Sequence, residues 1–311
     1  MEDTEPSVAP VLHTQRTYRR RGLPPAMADD GEDLEPEFTP SPQHGMAQQA
    51  EEALAGIDRV LVVMSGKGGV GKSTVAVNLA AALDGAGLHV GLADFDITNP
   101  NTPRMTGLEG FQFEGSGPFE PPESEGIPVA SAAFFKPPEK SLAWRGPLKQ
   151  KMISSLLGRV DWPDLDVLVL DLPPGTSDEP LSVSELVPTE KTRAVLVTTP
   201  QTVSTEDVAL NFRFAVTVEI PVVGIVENMS PFECECGREH AIFGEGGGRR
   251  LARELDVPLL AEVPIDSRLR EAGDAGRPLV VDGPDAASAR ALAGAAERLI
   301  DLFDVEAPAE A

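Results

Sequence analysis

The stretch Gly66-Lys67-Gly68-Gly69-Val70-Gly71-Lys72-Ser73-Thr74 has the residue types and spacing of a phosphate-binding loop, G-x-x-x-x-G-K-[ST]. Its glycines let backbone N–H groups turn inward around phosphate oxygens. A helix starting directly after the loop would point its positive end at the same oxygens. Lys72 adds a point charge near the β- and γ-phosphates of a nucleotide, and Ser73 can ligate Mg2+. Downstream, carboxylates stand where apolar runs end. "LADFDI" supplies Asp94 and Asp96, and "VLVLDLPPG" supplies Asp171. Carboxylates there can order water around Mg2+ and a γ-phosphate, so Ser73, Asp94 and Asp171 are the magnesium candidates. Pro173, Pro174 and Gly175 then make a stiff turn whose backbone could sense the γ-phosphate.

A second kind of chemistry sits in "SPFECECGREH". Cys234 and Cys236 are the chain's two cysteines, separated by Glu235. Iron–sulfur clusters and structural zinc want four thiolates or a thiolate/His mixture. One chain offers two thiols; a symmetric dimer offers four at its two-fold axis. In an extended segment residues i and i+2 face the same side, with Cα atoms roughly 6.5 Å apart. Both thiolates could then face a partner while Glu235 points away. A bond between them would close a short, strained ring. His240 completes a C-x-C-x3-H pattern, which keeps zinc open beside a cluster or no metal at all.

These residues need elements to position them. "RVLVVMS", "HVGLADFD", "DVLVLDLPPG", "RAVLVTTP", "PVVGIVENMS" and "VPLLAEVPI" are short continuous apolar runs, as expected of strands buried on both faces. "STVAVNLAAALDGAG", "PLKQKMISSLLGRV", "GGRRLARELD" and "ASARALAGAAERLIDLF" read as helices. Strands alternating with helices predict an α/β fold, a mostly parallel sheet with helices on both faces. Ligands in such sheets sit beyond the carboxyl ends of the strands, where this chain concentrates its Gly, Asp, Thr, Pro and Asn. "EGFQFEGSGPFEPPESEG" interrupts the pattern and reads as a surface loop or flexible hairpin.

The 311 residues divide into an acidic, disordered extension over 1–48, an ATPase domain over 49–304 and a flexible tail over 305–311. "RTYRRRG" is a small basic island within the extension. The formal net charge of -24 disfavours nucleic acid and anionic lipid as partners. Seven Lys against 19 Arg on so acidic a chain suits a cytoplasm of high salt, where screening removes self-repulsion. No apolar run approaches a membrane span, and the expected location is cytoplasmic.

Lys67, an extra lysine early in the loop, resembles the deviant P-loop of the MinD, ParA, nitrogenase iron protein and arsenite-pump ATPases. That resemblance implies that Lys67 reaches the nucleotide of a partner subunit, and that ATP is sandwiched between two chains. It also implies that Asp96 positions or activates the attacking water, and that Asn228 reads the adenine; Asn228 also suits a simple turn. "WRGPL" (Trp144 to Leu148), "WPDLDVLVLDLPPGTSDEPL", "VTTPQ", "GIVENMS", "IFGEGGGRRLA" and "VPLLAEVPIDSRLREAGDAGRPLV" follow in that order. With the loop, they resemble the Mrp/ApbC (nucleotide-binding-protein 35) family of iron–sulfur cluster carrier ATPases from about Asp58 to Leu302. The resemblance implies a homodimer that binds and slowly hydrolyses ATP. It would carry a [4Fe–4S] cluster bridging two subunits and deliver it to apo iron–sulfur proteins. The cluster's ligands would be Cys234 and Cys236, although the family spaces them by two residues and this chain by one. "DFDITNPNTP" also departs from the family's usual Gly-Pro-Ser run. The other reading is a MinD- or ParA-like positioning or regulatory ATPase without a cluster.

Overall fold

A computed structural model of the chain describes residues 42–135, 146–176, 178–234 and 236–303. The expected disordered residues up to 41, the basic island, Trp144, Arg145, Glu235 and the tail over 305–311 lie outside the described residues. Helix α1 (Pro42–Ala53) leads into strand β1 (Ile57–Ser65), the phosphate loop and helix α2 (Lys72–Gly85). Then come β2 (Val90–Asp94), the short α3 (Thr102–Met105), β3 (Glu123–Ser124) and β4 (Ile127–Ser131). Helix α4 (Gly146–Gly158), β5 (Leu165–Asp171), α5 (Asp178–Ser184), β6 (Thr192–Thr198) and α6 (Thr202–Thr217) form the middle. Strand β7 (Val222–Ser230) runs into a hairpin of β8 (Phe232–Glu233) and β9 (Glu239–His240). The chain then forms α7 (Gly247–Leu255), β10 (Leu259–Pro264), α8 (Ser267–Asp274), α9 (Leu279–Asp282) and α10 (Ala287–Phe303).

Among the described residues the main sheet has eight strands in the order β10-β7-β6-β1-β5-β2-β4-β3, parallel except for the β3–β4 pair. Each of the six apolar runs in the sequence becomes one of its parallel strands. β1 sits centrally, with β5 and β6 as neighbours, and is buried over nearly its whole length. After β1 the chain builds β2 on one side; after β5 it crosses to β6 on the other. The resulting crevice lies over the end of β1, where the phosphate loop begins. α10 packs on β10 and α2 through Leu292, Ala295, Ala296 and Leu299. Val, Leu, Ile and Ala fill most of the core, as the scarcity of aromatics requires.

Two features differ from the expectations. Helix α1 crosses the boundary drawn at residue 48, packs on α4 and buries Ala50 in the core. The stretch expected to be a surface loop carries structural weight. Phe113 and Phe119 are buried and stack at 4.8 Å, and Phe134 and Phe135 pack on Phe113 edge-on. Arg159 lies over the Phe119 ring at 4.9 Å. Backbone bonds from Phe113 to Phe134 and from Phe119 to Arg159, both 2.7 Å, tie the segment to the turn after β4 and to the residue that follows α4. Glycine and proline break its periodicity, which hides the core residues between them. Phe113→Ala should cost about 3–5 kcal/mol. Urea denaturation measures this, and a loss below about 1 kcal/mol would return the segment to the surface.

Candidate functional site

The phosphate loop joins β1 to α2, and no side chain caps the helix N-terminus. Its first N–H groups are thus available to an anion. The loop opens onto a cleft of about 570 Å³. Lys67, Gly68, Gly69, Gly71, Lys72, Ser73 and Thr74 form one wall, and Asp96, Pro173 and Pro174 face them. Thr98, Asn99, Asn101, Met105 and Glu179 complete it, none of them singled out by the sequence motifs. The Asp96 carboxylate is held by the Asn99 N–H at 2.9 Å, at the mouth of this cleft.

Gly66 does not line the cleft. A Cβ there would stand 2.4 Å from the Asp207 backbone, so glycine at 66 lets α6 close over the loop. Val70 is buried, and its carbonyl accepts a 2.9 Å hydrogen bond from the Asn228 amide. Lys67 Nζ stands 3.5 Å from Gln201 Oε1.

Beneath the cleft, Lys72 and Asp171 form a buried ion pair. The other Asp171 oxygen, Oδ2, is buried with no hydrogen-bond partner among the described residues. Asp94 lies beside Asp171 in the β2–β5 register and is fully buried. Its carboxylate accepts from the Asp96 N–H at 3.0 Å, and from the Thr102 N–H and Ser131 hydroxyl at 3.3 Å. Burial, reinforced by the Asp171 charge and opposed by Lys72, pushes the Asp94 carboxyl up to about 7. Asp94 thereby organises the turn that presents Asp96.

A second cavity of about 270 Å³ adjoins the cleft, sharing Gly71, Thr74, Asn101 and Met105 with it. Asn228, Met229, Pro264 and Ile265 form its far wall, with Asp266 at the end. These residues converge only through the β7–β10 pairing, so no local motif marks them.

The cysteines lie on the β8–β9 hairpin, with three residues between the end of β7 and Cys234. They do not sit in an extended segment, as the sequence reading assumed. The Gly237 N–H donates to the Cys234 carbonyl at 2.8 Å, and the Cys234 N–H donates to the Arg238 carbonyl at 2.9 Å. Gly237 has φ +75°, the left-handed conformation that closes such a bulged turn. Both cysteines belong to this turn, and their side chains hydrogen-bond. Cys236 is exposed and Cys234 half-buried. The bond from Cys236, followed by those from His240 and the Arg238 backbone, lowers the Cys234 thiol to about 6. Among the described residues no group of three or more His, Cys, Asp or Glu is arranged to hold a metal ion. A single chain therefore does not close a site with Cys234, Cys236 and His240. Among the same residues no helix is long and apolar enough to cross a membrane.

The parallel sheet, the loop and the flanking acids define a P-loop nucleotide-binding protein. The chain belongs to the ParA family described as NUBPL iron-transfer P-loop NTPase, which matches residues 56–300. It is 43% identical over 255 residues to an iron-sulfur cluster carrier protein of Synechocystis, covering 80% of this chain and 72% of that one. A protein of the same name from Saccharolobus solfataricus is 42% identical over 252 residues, covering 78% and 83%. Among solved structures, a nucleotide-binding protein from Archaeoglobus fulgidus in complex with ADP superposes with TM-score 0.63 at 38% identity. That match covers 74% of this chain and 91% of the other.

Two outcomes follow from the geometry. Lys72→Ala strands the buried Asp171 charge and should cost about 3–5 kcal/mol without nucleotide, read by urea denaturation; a loss under about 1 kcal/mol would mean the pair is dispensable. Alkylation of Cys234 in the metal-free protein should rise with the thiolate fraction. Its midpoint should fall near pH 6, the lowered value, and not in the range of about 8.5 typical of free cysteine. Mass-spectrometric iodoacetamide kinetics between these pH values would separate the two.

Proposed function

We propose that this chain binds and hydrolyses ATP and, as a homodimer, carries a [4Fe–4S] cluster that it assembles or transfers to apo iron–sulfur proteins. One observation carries the reading: two thiols converge on a hairpin issuing from the strand whose Asn228 braces the phosphate loop. Thiolates in that arrangement are cluster ligands. Two per chain make half of a four-thiolate site. The names of the relatives support the same cargo.

ATP would lay its phosphates along Gly68 to Thr74 and its base in the adjoining slot against Asn228, Met229 and Pro264. The free Asp171 Oδ2 suits a hydrated cation, so the residues present fit Mg2+. Ser73 would hold that ion directly and Asp171 through water, with Asp94 behind them. When bound there, Mg2+ neutralises charge developing on the β- and γ-phosphates. Asp96 orients or activates the attacking water from the mouth of the cleft. No arginine lines the phosphate cleft among the described residues, so Lys67 of a second copy would supply the missing charge. Hydrolysis is then slow and dependent on the dimer. The work takes place in the cytoplasm, without nucleic acid or membrane as partner.

The test is anaerobic reconstitution of the purified protein with ferrous iron and sulfide. The wild type should develop a visible absorption band and bind about four irons per dimer, the content of one such cluster. Cys234→Ala/Cys236→Ala should do neither. Equal iron uptake by the two proteins would sink the carrier reading.

A further inference from the structure

The stretch Trp144 to Leu148 runs directly into Lys149, a cation with no part in the phosphate loop or its magnesium acids. Lys149 is the fourth residue of α4. Its ammonium makes two contacts. One is an ion pair with Glu179, the second residue of α5. The other is to the Thr98 hydroxyl, 3.5 Å away. The Lys149 side chain is 25% exposed and that of Glu179 9%, so the pair is withdrawn from most of the solvent. That sets it apart from open ion pairs such as Arg270–Glu271, which contribute little. Thr98 and Glu179 both line the phosphate cleft, with Asp96, Asn99, Pro173 and Pro174.

The two partners belong to different loops. Thr98 stands in the turn that follows β2, two residues after Asp96 and one before Asn99, whose N–H holds the Asp96 carboxylate at 2.9 Å. Glu179 belongs to the segment that follows Asp171 at the end of β5. β2 and β5 are neighbours with Asp94 beside Asp171, so the two loops leave the sheet side by side. Lys149 spans them from a third element. We infer that Lys149 is a positioning residue for ATP hydrolysis: it clasps the two loops together and so sets where Asp96 stands against the γ-phosphate. The inference rests on the ATPase reading above. Charge is a second argument. Glu179 puts a carboxylate in the wall of a cleft suited to polyphosphate, and uncompensated it would repel the nucleotide. Among the described residues lining the cleft the cations are Lys67 and Lys72; Lys72 is held by Asp171, and Lys67 faces Gln201. Lys149 supplies the compensation that they do not. A pair that only stapled α4 to α5 would not need Thr98; the hydroxyl contact carries the clasp to the turn that presents Asp96.

Two variants of the full chain test this. Lys149→Met/Glu179→Gln removes the clasp and both its charges, so no uncompensated carboxylate is left at position 179. Thr98→Val removes only the hydroxyl contact, at an exposed position. Steady-state ATP hydrolysis with Mg2+ gives kcat, and titration calorimetry with the non-hydrolysable β,γ-imido analogue of ATP gives nucleotide affinity. The double variant should lose about tenfold in kcat while its analogue affinity stays within about threefold of wild type, the pattern of a reacting group displaced in the transition state. Thr98→Val should lower kcat in the same direction, by about threefold. A structural staple would change the urea midpoint and leave this split between kcat and affinity unmoved. Where the double variant does not fold, Thr98→Val decides alone. A wild type that hydrolyses no ATP overturns the ATPase reading and this one with it. A wild type that turns over, with variants that match it in kcat, overturns the clasp alone. A loss of kcat accompanied by an equal loss of analogue affinity also overturns it, and would make Lys149 a binding residue.

Discussion

A lysine and an aspartate, both withdrawn from water, meet at the carboxyl edge of the sheet, and the rest of the site is arranged around them. Lys72 is the first residue of α2; Asp171 is the last residue of β5. Burying two charges is tolerable only when their geometry is good and other bonds satisfy them. The β1–β5 register supplies that geometry by setting Val63 beside Asp171, so the loop leaving β1 returns Lys72 over the carboxylate. With Asp94 in the next strand, a second carboxylate lies within the electrostatic reach of the same ammonium. Burial and its acidic neighbour leave Asp94 with a weakened hold on its charge. The result is a compact charge cluster with an unsatisfied oxygen, a poor arrangement for stability alone and a good one for a site completed by ligand.

The same edge carries the cysteine hairpin. Glu227, Asn228 and Met229 stand just before the last residue of β7, ahead of that hairpin. Asn228 grips the phosphate loop at Val70, while Glu227 holds the Gly248 N–H at the start of α7. Met229 takes a left-handed backbone, φ +59°, which is uncommon for a residue with a long side chain. Three consecutive residues thus fix the phosphate loop, turn the chain, and anchor the helix that follows the hairpin. On the other flank, Lys67 meets Gln201, and its neighbour Pro200 packs on Gly247. The loop that receives phosphate and the loop that presents thiols are therefore joined by two short routes.

Much of this was legible because it is local. A buried parallel strand reads as an apolar run, and the phosphate loop needs its glycines and lysine in consecutive order. The last helix, Ala287–Phe303, declares itself by periodicity. What the sequence hid is what the fold assembles. Strand β4 is five residues long and follows a turn-rich stretch, so nothing distinguished it. Gly66 looked like a phosphate residue because it stands in the motif, yet its constraint comes from Asp207, 141 positions later in the sequence numbering. The slot beside Asn228 joins residues near 71, 101, 228 and 264, which only the sheet order brings together.

The cysteine spacing shows how local reading can err in geometry. With the pair taken as extended, a one-residue spacer leaves two sulfurs side by side but independent, facing a partner by chance of rotamer. The turn closed by Gly237 changes that. Its bonds join Cys234 to Gly237 and Arg238, and the two cysteine side chains come into hydrogen-bonding contact. Such contact matters because a thiol must lose its proton to become a ligand, and the donors around Cys234 favour the thiolate. A two-residue spacer would have to reach the same convergence through a different turn. The shorter spacing therefore need not count against a metal-binding pair, since the hairpin itself supplies the convergence that extended backbone could not.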